Sequence, residues 1–329
     1  MLLILRIAQY AEFFVTNVLN VLLLYLIFTK PSSRFGAYRS LMVIYTVYCI
    51  IYAWVEIFTQ PVIHVYGSSM YLFVGSFLKC YKFISVSLAA AFCASFGMCV
   101  SLLATNFVYR YCAVCRPHIL HHFEGWKLLR VYAIPFLISA YWFFEVFIVL
   151  RPTEEKTELA RKEIFEYYNE DLSKIGYIAI SYFVSFWKIC RKMSYSNFQH
   201  TDRSGNSHTC ISVMIMCGCK ISQKMRSVKL SMSRKTQELN NQLFKTLFQT
   251  LIPMCTMFGP VASIIILPIF SVGISPLFSN ALCVYSGLYP AFEAAVAIFM
   301  IRDFRETVLC DTIFQAESVC SLHSPVLTI

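Results

Sequence analysis

A guanidinium set between two phenols is the first group in this chain with chemistry to offer. Arg110, flanked by Tyr109 and Tyr111, closes a run of 26 uncharged residues at 84–109. Such a run is long enough to cross the ~30 Å hydrocarbon core of a bilayer as one helix. Arg110 therefore falls at a membrane face. Its charge cannot be lost, so the group must reach headgroups, water or a polar partner on a neighbouring helix. Taken alone it reads as a snorkelling arginine. A second ionisable group, Glu293, stands inside the last apolar run, three positions after Pro290, while Glu56 and Glu145 fall near the ends of theirs. No paired intramembrane carboxylates are apparent, and no HExxH, GxSxG or phosphate-loop pattern occurs, so an enzyme is not expected. His118, His121 and His122 lie within five residues, yet a polar loop beside a membrane face accounts for them better than a metal does. No cofactor and no metal are expected.

The elements that must position these groups follow from composition. The chain has 329 residues, 58% hydrophobic and 14% charged, against about a quarter charged in soluble domains. This is a polytopic, all-α membrane protein, and its net charge of +10 marks loops rather than nucleic-acid binding. Most of its 14 cysteines lie in apolar runs (Cys49, Cys93, Cys99, Cys255, Cys283), where a free thiol behaves as a small hydrophobe.

Hydropathy places spans at about 7–28, 41–58, 84–109, 128–150, 246–270 and 280–301. The start of the first lacks a basic n-region and a cleavage site, so it reads as a retained helix. Residues 59–83 carry Pro61, Gly67, Gly75, Lys79 and Lys82 and resist assignment. Residues 151–174, with seven acids and five bases, must lie in water, and their charge spacing supports a short surface helix. The fifth span is irregular: 175–187 and 210–219 are each too short to cross alone, and polar residues 188–209 separate them. One span interrupted by a disordered insertion is the expectation, because a helix split this way would leave backbone groups unsatisfied in lipid. Residues 1–310 form the seven-span domain, with a short amphipathic helix at 302–310 and a polar tail at 311–329.

Seven spans make an orientation test possible. The odd-numbered connections and the tail hold 16 Lys and Arg, Arg130 included, against 8 for the N-terminus and the even connections. By the positive-inside rule the N-terminus is outside, and Arg110 and the C-terminal tail face the cytoplasm.

That topology is joined by an ordered set of local blocks. They are Asn20 before VLLLYLI, Phe35-Gly36-Ala37-Tyr38-Arg39 with Leu41-Met42, Pro61 and His64, and Phe107 to Tyr111. They continue with Ser233 to Thr236, Gln242-Leu243-Phe244, Leu247, Gln249-Thr250, Pro253, Tyr289-Pro290-Ala291-Phe292-Glu293 and Asp303-Phe304-Arg305. The chain resembles the nematode Str family of seven-transmembrane chemoreceptors, the serpentine receptors of class R. The resemblance implies a receptor for an odorant or tastant that signals through a heterotrimeric G protein, in the plasma membrane of sensory neurons and their cilia. It implies a coupling and switching role for Tyr109, Arg110, Tyr111, Gln249, Pro253, Pro290 and Glu293. The family has Asp where this chain has Glu293. No cysteine falls in 151–174, so the bridge from the third helix to the second outer loop of rhodopsin-like receptors cannot form there.

The ligand is expected to be small and largely apolar, bound between helices in the outer half. Aromatic side chains placed there include Tyr52, Trp54, Phe143 and, as candidate contacts, Phe83, Tyr141 and Trp142. The competing class is a transporter or ligand-gated channel. Neither a line of midplane charges nor an internal repeat supports it.

Overall fold

The computed structural model describes residues 1–29, 36–123, 125–181, 259–270, 273–301 and 304–308, with isolated positions between 212 and 223. Helix α1 (Leu2–Thr29) is amphipathic in the sense a bilayer demands. Its buried positions Leu5, Gln9, Glu12, Thr16 and Asn20 recur every three or four residues, while Leu3, Ile4, Ile7 and Phe14 stay exposed. Lipid replaces water as the solvent of the apolar face, so the polar stripe turns inward. Helix α2 (Gly36–Thr59) runs back antiparallel beside it.

Helix α3 (Lys82–Cys115) is the axis of the bundle. Its most apolar stretch is 67% buried, against 11% for α4 (Lys127–Val149), so α3 is enclosed by neighbours and α4 lies on the rim. Proline at 117 ends α3, since the residue before a proline is driven out of helical geometry and Arg116 stands at φ −143°. Helices α6 (Pro276–Gly287) and α7 (Tyr289–Met300) form one crossing broken at Leu288. Pro290 has no N–H to return to the preceding turn, which localises the break. Among the described residues five crossings are long and apolar enough to span a membrane, and Gly259–Phe270 forms a shorter apolar helix.

The hard-to-place residues 59–83 form a β-hairpin, β1 (Pro61–Tyr66) and β2 (Ser69–Val74). Its two-residue loop takes φ 54° at Gly67, the left-handed region that hairpin turns assign to glycine. A third strand, β3 (Tyr177–Ser181), pairs antiparallel with β2 from Ser69↔Ser181 to Phe73↔Tyr177. This corrects the expectation that residues 175–187 begin the fifth span as a helix. A short apolar run reads alike as buried strand or buried helix; YIAIS is here covered on both faces. The rest of that expected span up to 211, the insertion 188–209, residues 246–258 and the tail 311–329 lie outside the described residues. Positions 212, 216, 217, 219 and 220 are helical, with Cys217 packed among Val100, Leu103 and Phe107 of α3.

The sheet caps one end of the bundle. Its period-two alternation sends Ile63, Val65, Leu72, Val74, Ile178 and Ile180 onto the bundle beside Val86, Ala89 and Phe92. The opposite face, with Val62, Tyr71, Phe73, Tyr177 and Ala179, packs on Ala160, Ile164 and Tyr168 of α5 (Glu154–Tyr168). That helix is the expected surface helix of the charged segment. Thr153 caps its start by accepting from Lys156 N, acids fill its first turn, and Asn169 at φ 56° ends it. Polar groups tie the cap down. Asn280 Oδ1 accepts from Ile63 N at 3.0 Å, Ser279 donates to Ile63 O at 2.9 Å, and Lys79 pairs with Glu170.

Candidate functional site

Opposite the cap, Arg110 is 7% exposed and therefore does not snorkel. Helix α2 supplies its first partner. The Tyr38 hydroxyl accepts from Arg110 Nη2 at 2.6 Å, and the same ring lies 5.3 Å from the guanidinium carbon. Tyr109 stacks on Tyr38 at 5.6 Å, and Phe123 meets Tyr109 edge-on at 5.1 Å. Leu41, Cys112 and Phe123 close the apolar surround. A buried guanidinium needs a counter-charge as well as acceptors. Helix α7 brings Glu293 within electrostatic reach of Arg110. Among the described residues, Glu293 Oε2 is buried with no hydrogen-bond donor on it.

One turn from Glu293, the hydroxyls of Tyr45 and Tyr289 share a hydrogen bond of 2.9 Å. Pro290 is buried, and its carbonyl accepts from Asn20 Nδ2 at 3.2 Å. Helices α1, α2, α3 and α7 thus converge where α7 has just been broken. Tyr111, partly buried, packs at the margin of the same apolar surround, its ring 5.9 Å from Lys220 Nζ. Tyr109, Arg110, Pro290 and Glu293 are brought together; Gln249 and Pro253 lie outside the described residues. The fixed positive charge of Arg110 is thus held by groups from two other helices, α2 and α7.

At the cap end, the three candidate ligand residues are placed differently from one another. Phe83 is 74% exposed on the outer surface, edge-on to Phe147 at 5.7 Å. Tyr141 is exposed on α4. Trp142 faces α3 with its ring over Gly97, where a β-carbon would meet ring atoms at 3.1 and 3.2 Å. Its Nε1 is buried without an acceptor among the described residues. Tyr52, Val86, Ala90, Phe92, Val146, Ile264, Ile274 and Cys283 form one apolar cluster under the sheet, with Phe143 and Phe147 of α4 packed against it.

The structure also brings together two acids that the sequence reading left apart. Glu12 of α1 and Glu56 of α2 are both buried, and their Oε1 atoms occupy the space above Gly287 of α6. Paired intramembrane carboxylates are therefore present. An acid in an apolar run is legible as a functional candidate, but its partner comes from another helix and spacing does not reveal it. Tyr38 was visible only as part of a matching block, with no sign that it would reach Arg110.

The sequence profile described as "Serpentine type 7TM GPCR chemoreceptor Str" matches residues 5–309. The chain is 30% identical over 299 residues to the Caenorhabditis elegans protein named serpentine receptor class r-10, covering 89% of this chain and 86% of that one. Its Caenorhabditis briggsae counterpart is 29% identical over 92% of this chain and 88% of its own length. The C. elegans protein named G-protein coupled receptor str-33 is 24% identical over 91% of this chain and 88% of its own.

Proposed function

The chain belongs to the Str family of serpentine seven-transmembrane chemoreceptors, and on that premise we propose that it binds a small, largely apolar odorant or tastant and activates a heterotrimeric G protein. It is a multi-pass membrane protein of a receptor family rather than an enzyme family. In the proposed orientation the N-terminus and the sheet cap lie outside, Arg110 opens towards the cytoplasm, and the receptor resides in the plasma membrane of sensory cilia. Residues 188–209 are excluded from the working receptor, which sequencing of the transcript across that segment checks directly.

The observation that carries this reading is the buried latch of Arg110, Tyr38 and Glu293 at the end of α3. A ligand acts only through its differential affinity for two states, and this latch supplies two: guanidinium held, guanidinium freed for the G protein. Tyr109, Tyr111, Pro290 and Glu293 shape the latch, with Gln249 and Pro253 assigned to the sixth crossing that moves away from it. For the ligand, support comes from the apolar cluster under the sheet, with Trp142 over Gly97 between α4 and α3 and Phe83 and Tyr141 further out on α3 and α4. The cap is covered on both faces, which favours small molecules over peptides.

Expression in a heterologous cell with a G-protein reporter tests the proposal. A small volatile or weakly polar compound should evoke a response that Arg110→Ala abolishes at unchanged surface delivery. Normal signalling by Arg110→Ala, or activation by large peptides alone, would overturn it.

A further inference from the structure

Glu12 and Glu56 are 4% and 6% exposed, and glycine at 287 is what admits them: a β-carbon there would collide with both carboxyls. Among the described residues neither acid takes part in an ion pair, and the Glu12 carboxyl has no hydrogen-bond partner other than the Glu56 carboxyl. Their other close neighbours, Tyr52 and Cys283, bring no positive charge. Burying negative charge without compensation is among the most costly arrangements a protein can hold.

Two neutral oxygens on the same face of α1 are independently unpartnered. Thr46 and Thr59 return their hydroxyls to the carbonyl four residues back at 2.7 Å each, the usual habit of a helical threonine. Thr16 does not; its Oγ1 is buried with no partner among the described residues. Side chains lean towards the helix N-terminus, so Thr16 leans towards Glu12, one turn away. On the other side, Gln9 commits its amide nitrogen to Pro61 O at 3.0 Å, which leaves its Oε1 buried and unpartnered. Positions 9, 12 and 16 therefore present a column of buried oxygens that find no partner among the described residues beyond the acid pair itself.

The geometry points to a monovalent metal cation of about sodium size held by Glu12 and Glu56, with Thr16 Oγ1 and Gln9 Oε1 as neutral ligands. All four are hard oxygen donors, the kind that select alkali and alkaline-earth ions. Calcium takes about six to eight oxygens and magnesium keeps several waters in near-octahedral geometry; the four side chains reach six oxygens only if both carboxyls chelate, and they are buried from water, so the smaller demand of a sodium-sized ion fits them better. Contact of both carboxyls above Gly287 accommodates an ion and excludes the alkyl part of an organic ammonium. The ion ties α1, α2 and α6 together one turn beneath the cap, and it is independent of the ligand and G-protein reading.

The test uses the full-length receptor in nanodiscs, with binding of radiolabelled sodium measured against unlabelled NaCl, ionic strength held constant with choline chloride. Wild type should bind saturably, and its melting midpoint should rise in sodium and not in choline. Glu12→Gln and Glu56→Gln should each weaken sodium binding by about tenfold or more, and Thr16→Val by less. Glu163→Gln, on the cap, should leave it unchanged. Absence of saturable binding in wild type overturns the site, as does binding retained in the Glu12→Gln, Glu56→Gln double variant. Should the acid variants fail to fold, wild type and Thr16→Val still decide. A midpoint that follows pH and ignores sodium assigns a shared proton instead and equally overturns it.

Discussion

Replacing Tyr38 by Phe isolates one half of the latch. The substitution removes the hydroxyl that accepts from Arg110 Nη2 at 2.6 Å and keeps the ring 5.3 Å from the guanidinium and stacked on Tyr109. A hydrogen bond to a charged group contributes about 1.5–3 kcal/mol, while the retained cation–π contact contributes about 0.5–2 kcal/mol and survives. In the proposed switch the bond belongs to the latched arrangement and is broken in the open one, so its loss should shift the equilibrium towards the open state roughly 10- to 150-fold. A receptor with about 0.1% of molecules open at rest would rise to roughly 1–15%. The assay is ligand-free second-messenger output per receptor at the cell surface. Elevated basal output that further ligand still increases is the expected result. Wild-type basal output at wild-type surface level would refute the latch, and loss of all signalling would mean that Tyr38 belongs to the open state.

Three further outcomes follow from particular contacts. Burial holds the His64 imidazole below its ordinary 6.5, with Glu163 opposing the shift. The folded cap then binds fewer protons than the unfolded chain just below pH 6.5, so its stability falls as pH drops through that window. Hydrogen exchange of the β1–β2 and α5 amides should accelerate from pH 7 to 5.5 after correction for intrinsic rates, less so in His64→Gln and more so in Glu163→Gln; equal protection in all three would refute this. Gly176→Ala would set a β-carbon 2.8 Å from Lys82 O and against the Ser85 side chain, a backbone collision costing about 1–3 kcal/mol. Lower surface delivery and a lower melting midpoint are expected, and an unchanged midpoint counts against the placement of β3. Gly97→Ala presses on the Trp142 ring at 3.1 Å and should raise the ligand concentration for half-maximal response about three- to tenfold with the maximum retained; a lowered maximum with unchanged half-response concentration would separate Trp142 from ligand binding.

How far the sequence could be read differs by region for physical reasons. The crossings at α1, α2, α3 and α4 were legible because lipid tolerates few charges, so a run of about 20 predominantly apolar residues has few other uses, and in α3 the run is wholly uncharged from 84 to 109. The hairpin was not. Pro61, Gly67 and Gly75 look like loop breakers, and strands buried on both faces lose the polar alternation that would announce them. The same loss disguised β3 as the start of a helix. Arg110 was conspicuous because a charge ends its run, and Glu293 because a charge interrupts one. Their assembly was not conspicuous, since Tyr38 lies 72 residues before Arg110 and reaches it only through the antiparallel packing of α2 on α3. Glu12 carried the same kind of signal as Glu293. What spacing could not supply was Gly287, whose missing side chain brings the two acids into contact.

The inner face of α1 gives these separate features a common support. Gln9 bonds the cap through Pro61 O, Glu12 meets Glu56 above Gly287, and Asn20 bonds the carbonyl of Pro290. Each contact lies one or two turns further from the cap than the last, and the later two bracket the break between α6 and α7. Coupling over such a distance requires an element with two arrangements that both ends can bias. A continuous helix would be too stiff for that role. In the proposed receptor the break at Leu288 is the place for it, because Pro290 removes a backbone bond where α1 holds the chain on both sides, and a change of the cap or of the acid pair would pass there to the segment carrying Tyr289 and Glu293. From there the Tyr45–Tyr289 hydrogen bond and the Glu293 carboxyl lead to Arg110. The polar stripe that a bilayer forces to the inside of α1 is thus also the part of the helix that connects the capped end to the latch.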